Sequence, residues 1–140
     1  MERSLVLSVS AGTGCYRHIR ISENATLHEL NSAILDSFDF FDDHMHAFFM
    51  SNRAWDEASE FVCPGGDLDD ACGFTDKTKL SMFYLNKNDK FLYIFDFGDD
   101  WRFQIKVLRI INESTKIPIV LKSAGQASQY GDIEDDWDGE

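Results

Sequence analysis

The sequence predicts an α+β domain: a mixed, mostly antiparallel sheet of about five to six strands packed on one main amphipathic helix at about 27–38, with a second short helix at about 77–84. Three observations point there. Alternating or wholly apolar runs of strand length recur along the chain. One segment alone carries a strong helical stripe. Strands and helix do not alternate regularly, as a doubly wound parallel sheet would require. At 140 residues the chain has the length of one domain, able to bury about two-thirds of its unfolded surface. An apolar fraction of 44% with twelve Phe and three Trp supplies a core and argues against disorder.

Residues 4–9, SLVLSV, read as a first strand. Gly12 and Gly14 break the pattern before CYRHIRI, where Cys15, Arg17, Ile19 and Ile21 share one side of a second strand paired with the first. Thr26 and Glu29 have the spacing of a capping box, and Leu27, Leu30, Ile34 and Phe38 follow as the helix stripe. Residues 45–50 are apolar on both faces, the mark of a buried strand. Residues 56–76, with Pro64, two adjacent glycines and five Asp, read as a long loop. Two long strands follow at about 91–97 and 101–111, and IPIVLK forms a last short one. A single domain over 1–125 and an acidic, flexible tail over 126–140 are the expected organisation.

Between the two long strands lies YIFDFGDDWRFQI. A two-residue turn at Gly98-Asp99 would set Phe97 against Asp100 and Asp96 against Trp101. The favoured loop of Gly98, Asp99 and Asp100 sets Phe97 against Trp101, Phe95 against Phe103 and Asp96 against Arg102. That register makes one continuous aromatic face, and a one-residue slip would turn it over. Gly98 is expected to supply a backbone angle other residues resist, with Asp96 and Asp99 fixing the turn and Trp101 anchoring the strand.

Net charge is −12, with six of the acids and no base in residues 132–140; without those six the remainder stands at −6. Such a field repels phosphates and anionic membranes, so nucleic-acid binding is disfavoured unless the fold gathers bases into a patch, from residues such as Arg17, Arg20, Lys87 and Lys90. No targeting segment and no run near a membrane span is visible, and Cys15, Cys63 and Cys72 are odd in number without tight spacing. A cytoplasmic protein with free thiols is the expectation.

LYIFDFGDDWRFQI resembles the Y-D-F-G-D-x-W-x-H-x-I signature of the plasmid pRiA4b ORF-3-like family. YRHIRISENATLHELNSAIL is similar to that family's arginine-rich strand and following helix, and DDHMHAFFM to its H-L-H-x-F strand, which places His44 and His46 on two family histidines. The closing GQASQYGDIEDD is similar to the family's glycine- and acid-rich end, so the likeness runs over about residues 15–135. It departs at Phe103, where the pattern has histidine. The resemblance implies a compact α+β domain of a kind found with plasmids and transposable elements, and it assigns no activity.

Four sets of residues are candidates for function. His44, His46, Asp96 and Asp99 combine imidazole with carboxylate, the donor set for a divalent ion or an activated water. A histidine pair on one strand face is more often hydrogen-bonded core, and Phe103 removes one further donor. Asp96, Gly98, Asp99 and Trp101 form the hairpin element, for which a turn-building role is favoured; a kinase reading of Asp-Phe-Gly lacks its phosphate loop and catalytic loop. Cys63 and Cys72, nine apart, lack the close knuckle of a zinc site. In the tail, Tyr130, Asp135, Asp136 and Trp137 form an acidic, aromatic segment suited to a partner's basic groove, against the plainer reading of a solvated terminus. Two functions stand: a non-enzymatic protein-interaction module without a cofactor, and a metal-assisted hydrolase or nucleotide-processing enzyme built on the His/Asp set.

Overall fold

The computed structural model describes residues 2–66 and 71–129. Its α+β architecture rests on eight strands and one α-helix: β1 (Ser4–Gly12), β2 (Cys15–Ser22), α1 (Leu27–Ser37), β3 (His46–Phe49), β4 (Glu60–Val62), β5 (Gly73–Phe74), β6 (Lys90–Phe95), β7 (Trp101–Ile111) and β8 (Ile119–Ala124). The strands form one sheet in the order β5-β4-β3-β6-β7-β1-β2-β8. Only the short β4–β5 pairing is parallel.

Helix α1 starts where its cap dictates. Thr26 Oγ1 accepts the Glu29 amide at 3.1 Å, and Glu29 Oε1 accepts the Thr26 amide at 2.8 Å. Leu27, Leu30, Ile34 and Leu35 then bury against the sheet, meeting Leu5, Leu7, Val9, Ile19, Ile21 and the rings of Phe48, Tyr93 and Phe103. Each such side chain contributes about 1.5–3 kcal/mol of burial, which makes this face the main source of stability.

The opposite face is divided. At the β4-β3-β6 end, Ala47, Phe49, Val62 and Ile94 make a second, smaller core with Ala54, Phe74 and Phe97. This explains why β3 is apolar on both sides: all four of its residues are buried. Among the described residues no helix covers the sheet over β7, β1 and β2, where Ser10 and Ser8 lie opposite Tyr16 and His18 and Val6 lies opposite Arg20. Among the described residues no helix is long and apolar enough to cross a membrane.

Three local expectations are corrected. The strand count exceeds five or six because the stretch expected as a loop contains β4 and β5, whose Phe61 and Val62 bury despite the flanking Pro64 and glycines. The second helix at about 77–84 is instead two 3-10 turns, Thr75–Lys77 and Leu80–Phe83. Backbone bonds from Leu27 N to Thr78 O and from Leu80 N to Ala25 O, both 2.9 Å, tie this segment to the entry of α1 and take groups a helix ladder would use.

The third correction is the hairpin. Phe95 pairs with Trp101, Tyr93 with Phe103 and Ile94 with Arg102, so the loop has five residues, Asp96 to Asp100. The shift is two residues, which preserves the aromatic face. The unusual backbone angles belong to Asp96 (φ 61°) and Asp100 (φ 58°) and not to Gly98. Aspartate tolerates this left-handed region because its short side chain bonds its own turn: the Asp100 amide donates to Asp96 O at 2.6 Å and the Asp99 amide to Asp96 Oδ1 at 3.3 Å. Phe97 leaves the ladder and packs edge-on to Trp55 with ring centroids 5.2 Å apart.

Candidate functional site

The loop from α1 into β3 brings the sequence-nominated histidines to a polar cleft of about 490 Å³, lined by His28, Asp42, Asp43, His44, His46 and Cys63 among others. His46 opens β3 opposite Phe95 and is 2% exposed. Its Nε2 lies 2.8 Å from Thr75 Oγ1, and its ring is 5.6 Å from that of His28. Burial first, then the neighbouring His28, pushes its pKa down to about 3, so the ring is neutral at physiological pH.

Below the cleft runs a buried polar chain. The Tyr93 hydroxyl donates to Asn31 Oδ1, and Asn31 Nδ2 donates to Asp42 Oδ2 at 3.3 Å. Tyr93 and Asn31 are both fully buried, and each polar atom between them is matched. Burial raises the phenol well above its ordinary value, with Asp42 and Cys63 adding to the shift. A phenol held protonated is a fixed donor, and it orients Asn31 toward the carboxylate at the cleft.

His44 stands at the rim. Its Nε2 lies 3.4 Å from Asp43 Oδ1 and 3.5 Å from Asp96 Oδ2. Asp96 therefore turns toward the cleft and away from Arg102, which forks onto Asp100 at 2.9 and 3.0 Å. It is nevertheless a turn residue first: its amide donates to Met45 O at 2.8 Å while Oδ1 holds the Asp99 amide. One carboxylate both shapes the bend and reaches the histidine.

The four nominated residues do not converge as a set. His44 and Asp96 meet, His46 is engaged with Thr75, and Asp99 is exposed with its amide on Asp96. Among the described residues no three His, Cys, Asp or Glu side chains form a group able to hold a metal ion. Cys63 is buried beside the cleft, whereas Cys72 is exposed with its thiol 3.1 Å from Ala58 O. In the hairpin set, Trp101 packs edge-on to Phe40 with ring centroids 5.0 Å apart.

His28, Asn31, Thr75 and Tyr93 were not nominated from the sequence. Asn31 carried the one legible signal, a polar residue inside the buried stripe of α1. The other three are joined to the cleft only by the folding of distant segments.

Residues 126–129 continue the body's packing. Ala127 lies against the main core, and Gln129 bonds both backbone groups of Phe41 and, at 3.2 Å, Asp43 Oδ1. Tyr130, Asp135, Asp136 and Trp137 lie outside the described residues.

A second surface stands at the far edge of the sheet. Among the described residues β8 pairs only with β2, and Ile117, Ile119, Val120 and Leu121 are exposed there. A cleft of about 470 Å³ runs between this edge and α1, apolar at Ile19, Ala33 and Val120 and acidic at Glu29 and Asp36.

Residues 7–137 match the family model described as plasmid pRiA4b ORF-3-like protein. The chain belongs to that family. The chain is also similar to the crystal structure of a protein of unknown function from Methanosarcina mazei Go1, with 26% identity, 99% of this chain and 80% of that chain covered, and a TM-score of 0.72. No curated protein matches. In this member of the plasmid pRiA4b ORF-3-like family, Phe103 occupies the position where the signature has histidine. It is fully buried among Phe38, Phe40, Tyr93 and Trp101, with 5.1 Å between its centroid and that of Phe38. The ring serves the core at this position.

Proposed function

We propose that this member of the plasmid pRiA4b ORF-3-like family is a protein-interaction module that receives an extended strand of a protein partner along β8. One observation carries the reading. Ile119, Val120 and Leu121 are 46, 45 and 46% exposed on a strand that, among the described residues, is hydrogen-bonded on one side only. Such an edge offers unpaired backbone donors and acceptors beside apolar side chains, the feature most sheets blunt with charge or cover. Strand addition uses those main-chain groups for affinity and the adjoining cleft for selectivity. Glu29 and Asp36 beside the apolar cleft favour a segment whose cleft-facing residues, two apart along an extended strand, include both aliphatic and basic side chains.

Selection of a random-peptide library on the purified protein is expected to enrich aliphatic and basic residues spaced two apart. Binding should weaken at least about tenfold, about 1.4 kcal/mol, in Val120→Asp, a change at a half-exposed position that leaves the core intact. Absence of enrichment, or peptides indifferent to Val120→Asp, would overturn the reading. A stable dimer in light scattering that Val120→Asp dissociates would give the edge to a second copy instead.

The metal-assisted hydrolase or nucleotide-processing reading retains one supporting observation, the 3.5 Å approach of Asp96 Oδ2 to His44 at a polar cleft. Elemental analysis of protein purified without chelator decides it. Stoichiometric zinc, manganese or iron lost in His44→Ala supports a metal centre there, and metal-free protein rules out one retained through purification.

A further inference from the structure

The uncovered sheet face carries a row of cations that the overall charge conceals. Strand register places Lys122, His18, Ser8, Lys106 and Lys90 side by side across β8, β2, β1, β7 and β6. In the adjacent row Arg20 and Arg109 flank Val6, and in the row beyond, Tyr16 lies beside Ser10 and Gln104. With neighbouring strands about 4.8 Å apart, the first row spans roughly 20 Å. The strand positions of these three rows contain no carboxylate.

The charges differ in how far they are already neutralised. Arg20 pairs with Glu113 at 3.2 Å and Arg102 with Asp100 at 2.9 Å. Lys90, Lys106, Arg109 and Lys122 have no ion-pair partner among the described residues. The His18 imidazole is held below its ordinary value by burial and then by Lys122 and Arg109, which agrees with a locally positive field. Of the bases named from the sequence as a possible patch, Arg17 is buried on the other side of β2. The cluster that forms keeps Arg20 and Lys90 and adds Lys106, Arg109 and Lys122.

The same face offers rings and hydroxyls. Tyr16 and His18 lie with centroids 5.1 Å apart, and the Lys122 ammonium is 5.8 Å from the Tyr16 ring. Ser8 and Ser10 floor a shallow hollow of about 460 Å³ next to them. An open sheet face on which aromatic rings sit among cations and small donors suits an unpaired nucleic-acid strand: phosphates meet the lysines and arginine while bases stack on the rings. An acidic polypeptide would satisfy the charges and leave the ring faces unused. A duplex would need an element projecting into a groove, and among the described residues the one α-helix packs on the other face of the sheet.

We propose that the open face of β8-β2-β1-β7-β6 binds single-stranded nucleic acid, with Lys90, Lys106, Arg109 and Lys122 on the phosphates and Tyr16 stacking a base. The interaction is sequence-tolerant and of modest strength, because four unpaired cations work against a net charge of −12. It is independent of strand addition at β8, which uses the outer edge and the α1-side cleft.

The test is fluorescence anisotropy with a labelled single-stranded oligonucleotide of about 12 residues, using the full chain. Binding is expected to fall with salt at a log–log slope of about −2 to −3, the release expected for three to four phosphates. Lys106→Glu with Arg109→Glu should weaken it at least about tenfold while the melting curve keeps its cooperativity. Tyr16→Ala should weaken it several-fold without altering the salt slope, a response a purely electrostatic contact would not give. No oligonucleotide binding, or binding insensitive to the double substitution, would overturn the assignment. So would a polyglutamate peptide that binds this face in preference to the oligonucleotide, since that outcome gives the face to an acidic protein.

Discussion

Acidification from pH 7 to pH 4.5 is expected to remove about 2–3 kcal/mol of stability through His46 alone. Its pKa lies near 3 in the folded chain against an ordinary value of 6.5. Below pH 6.5 the unfolded chain binds a proton that the folded chain refuses, so stability is full above that value and drains as pH falls toward 3. Each pH unit in that window is worth about 1.4 kcal/mol. Urea titrations at pH 7, 5.5 and 4.5 should show this loss in the wild-type chain and a flatter dependence in His46→Gln, which keeps a polar group toward Thr75. The difference between the two pH dependences is the signature, because the remaining titratable residues are the same in both proteins. Parallel dependences would mean that the ring is protonated without penalty in the fold.

Arg17→Ala is expected to cost about 3 kcal/mol, the loss of a buried, charge-assisted network. Arg17 is 6% exposed and its guanidinium lies 4.2 Å from the centre of the Phe38 ring. Nε donates to Ser37 O at 2.7 Å, and Nη1 donates to Tyr16 O at 2.9 Å and Ala124 O at 3.0 Å. Ser37 closes α1 and Ala124 closes β8, so one side chain joins the negative end of the helix to two strands. Truncation leaves three carbonyls short of a donor and a void beside Phe38. Arg17→Met, which retains the stem, should recover part of the loss and so separate packing from hydrogen bonding. Urea unfolding measures both. An Ala variant within about 0.5 kcal/mol of wild type would show that water replaces the guanidinium. Since Ala124 lies in β8, peptide capture at that edge should weaken in the same variant.

The elements easiest to read were those whose cause is local. The Thr26–Glu29 box and the stripe after it specify α1 within a few consecutive residues, and the β1–β2 hairpin follows from alternation around Gly12 and Gly14. β4 and β5 escaped because two or three residues carry too little pattern; Phe61 and Val62 become a strand only when β3 supplies the partner. The hairpin register misled for a related reason. A shift of two keeps every ring on the same face, so the aromatic pattern does not discriminate, and the choice falls to Asp96 and Asp100 adopting left-handed angles. Of the candidate cleft, the two histidines and Asp96 were visible as residue types, but their partners were not. Thr75 lies 29 positions from His46, and Tyr93 lies 62 from Asn31.

Composition and local periodicity determined on their own that the chain is an α+β domain with a ring-filled core, a capped helix and a strongly acidic total charge, because each follows from neighbours along the backbone or from simple counting. Tertiary structure decided where the charge goes. Lys90, Lys106, Lys122 and His18 are scattered over more than half of the chain, and only cross-strand register sets them in one row on a face whose strands hold no acid. It also decided that Asp96 turns to His44 and that β8 stands last in the sheet order of the described residues. Pairing between distant strands is a long-range event, and a net charge, being a sum, carries no record of which side each charge faces.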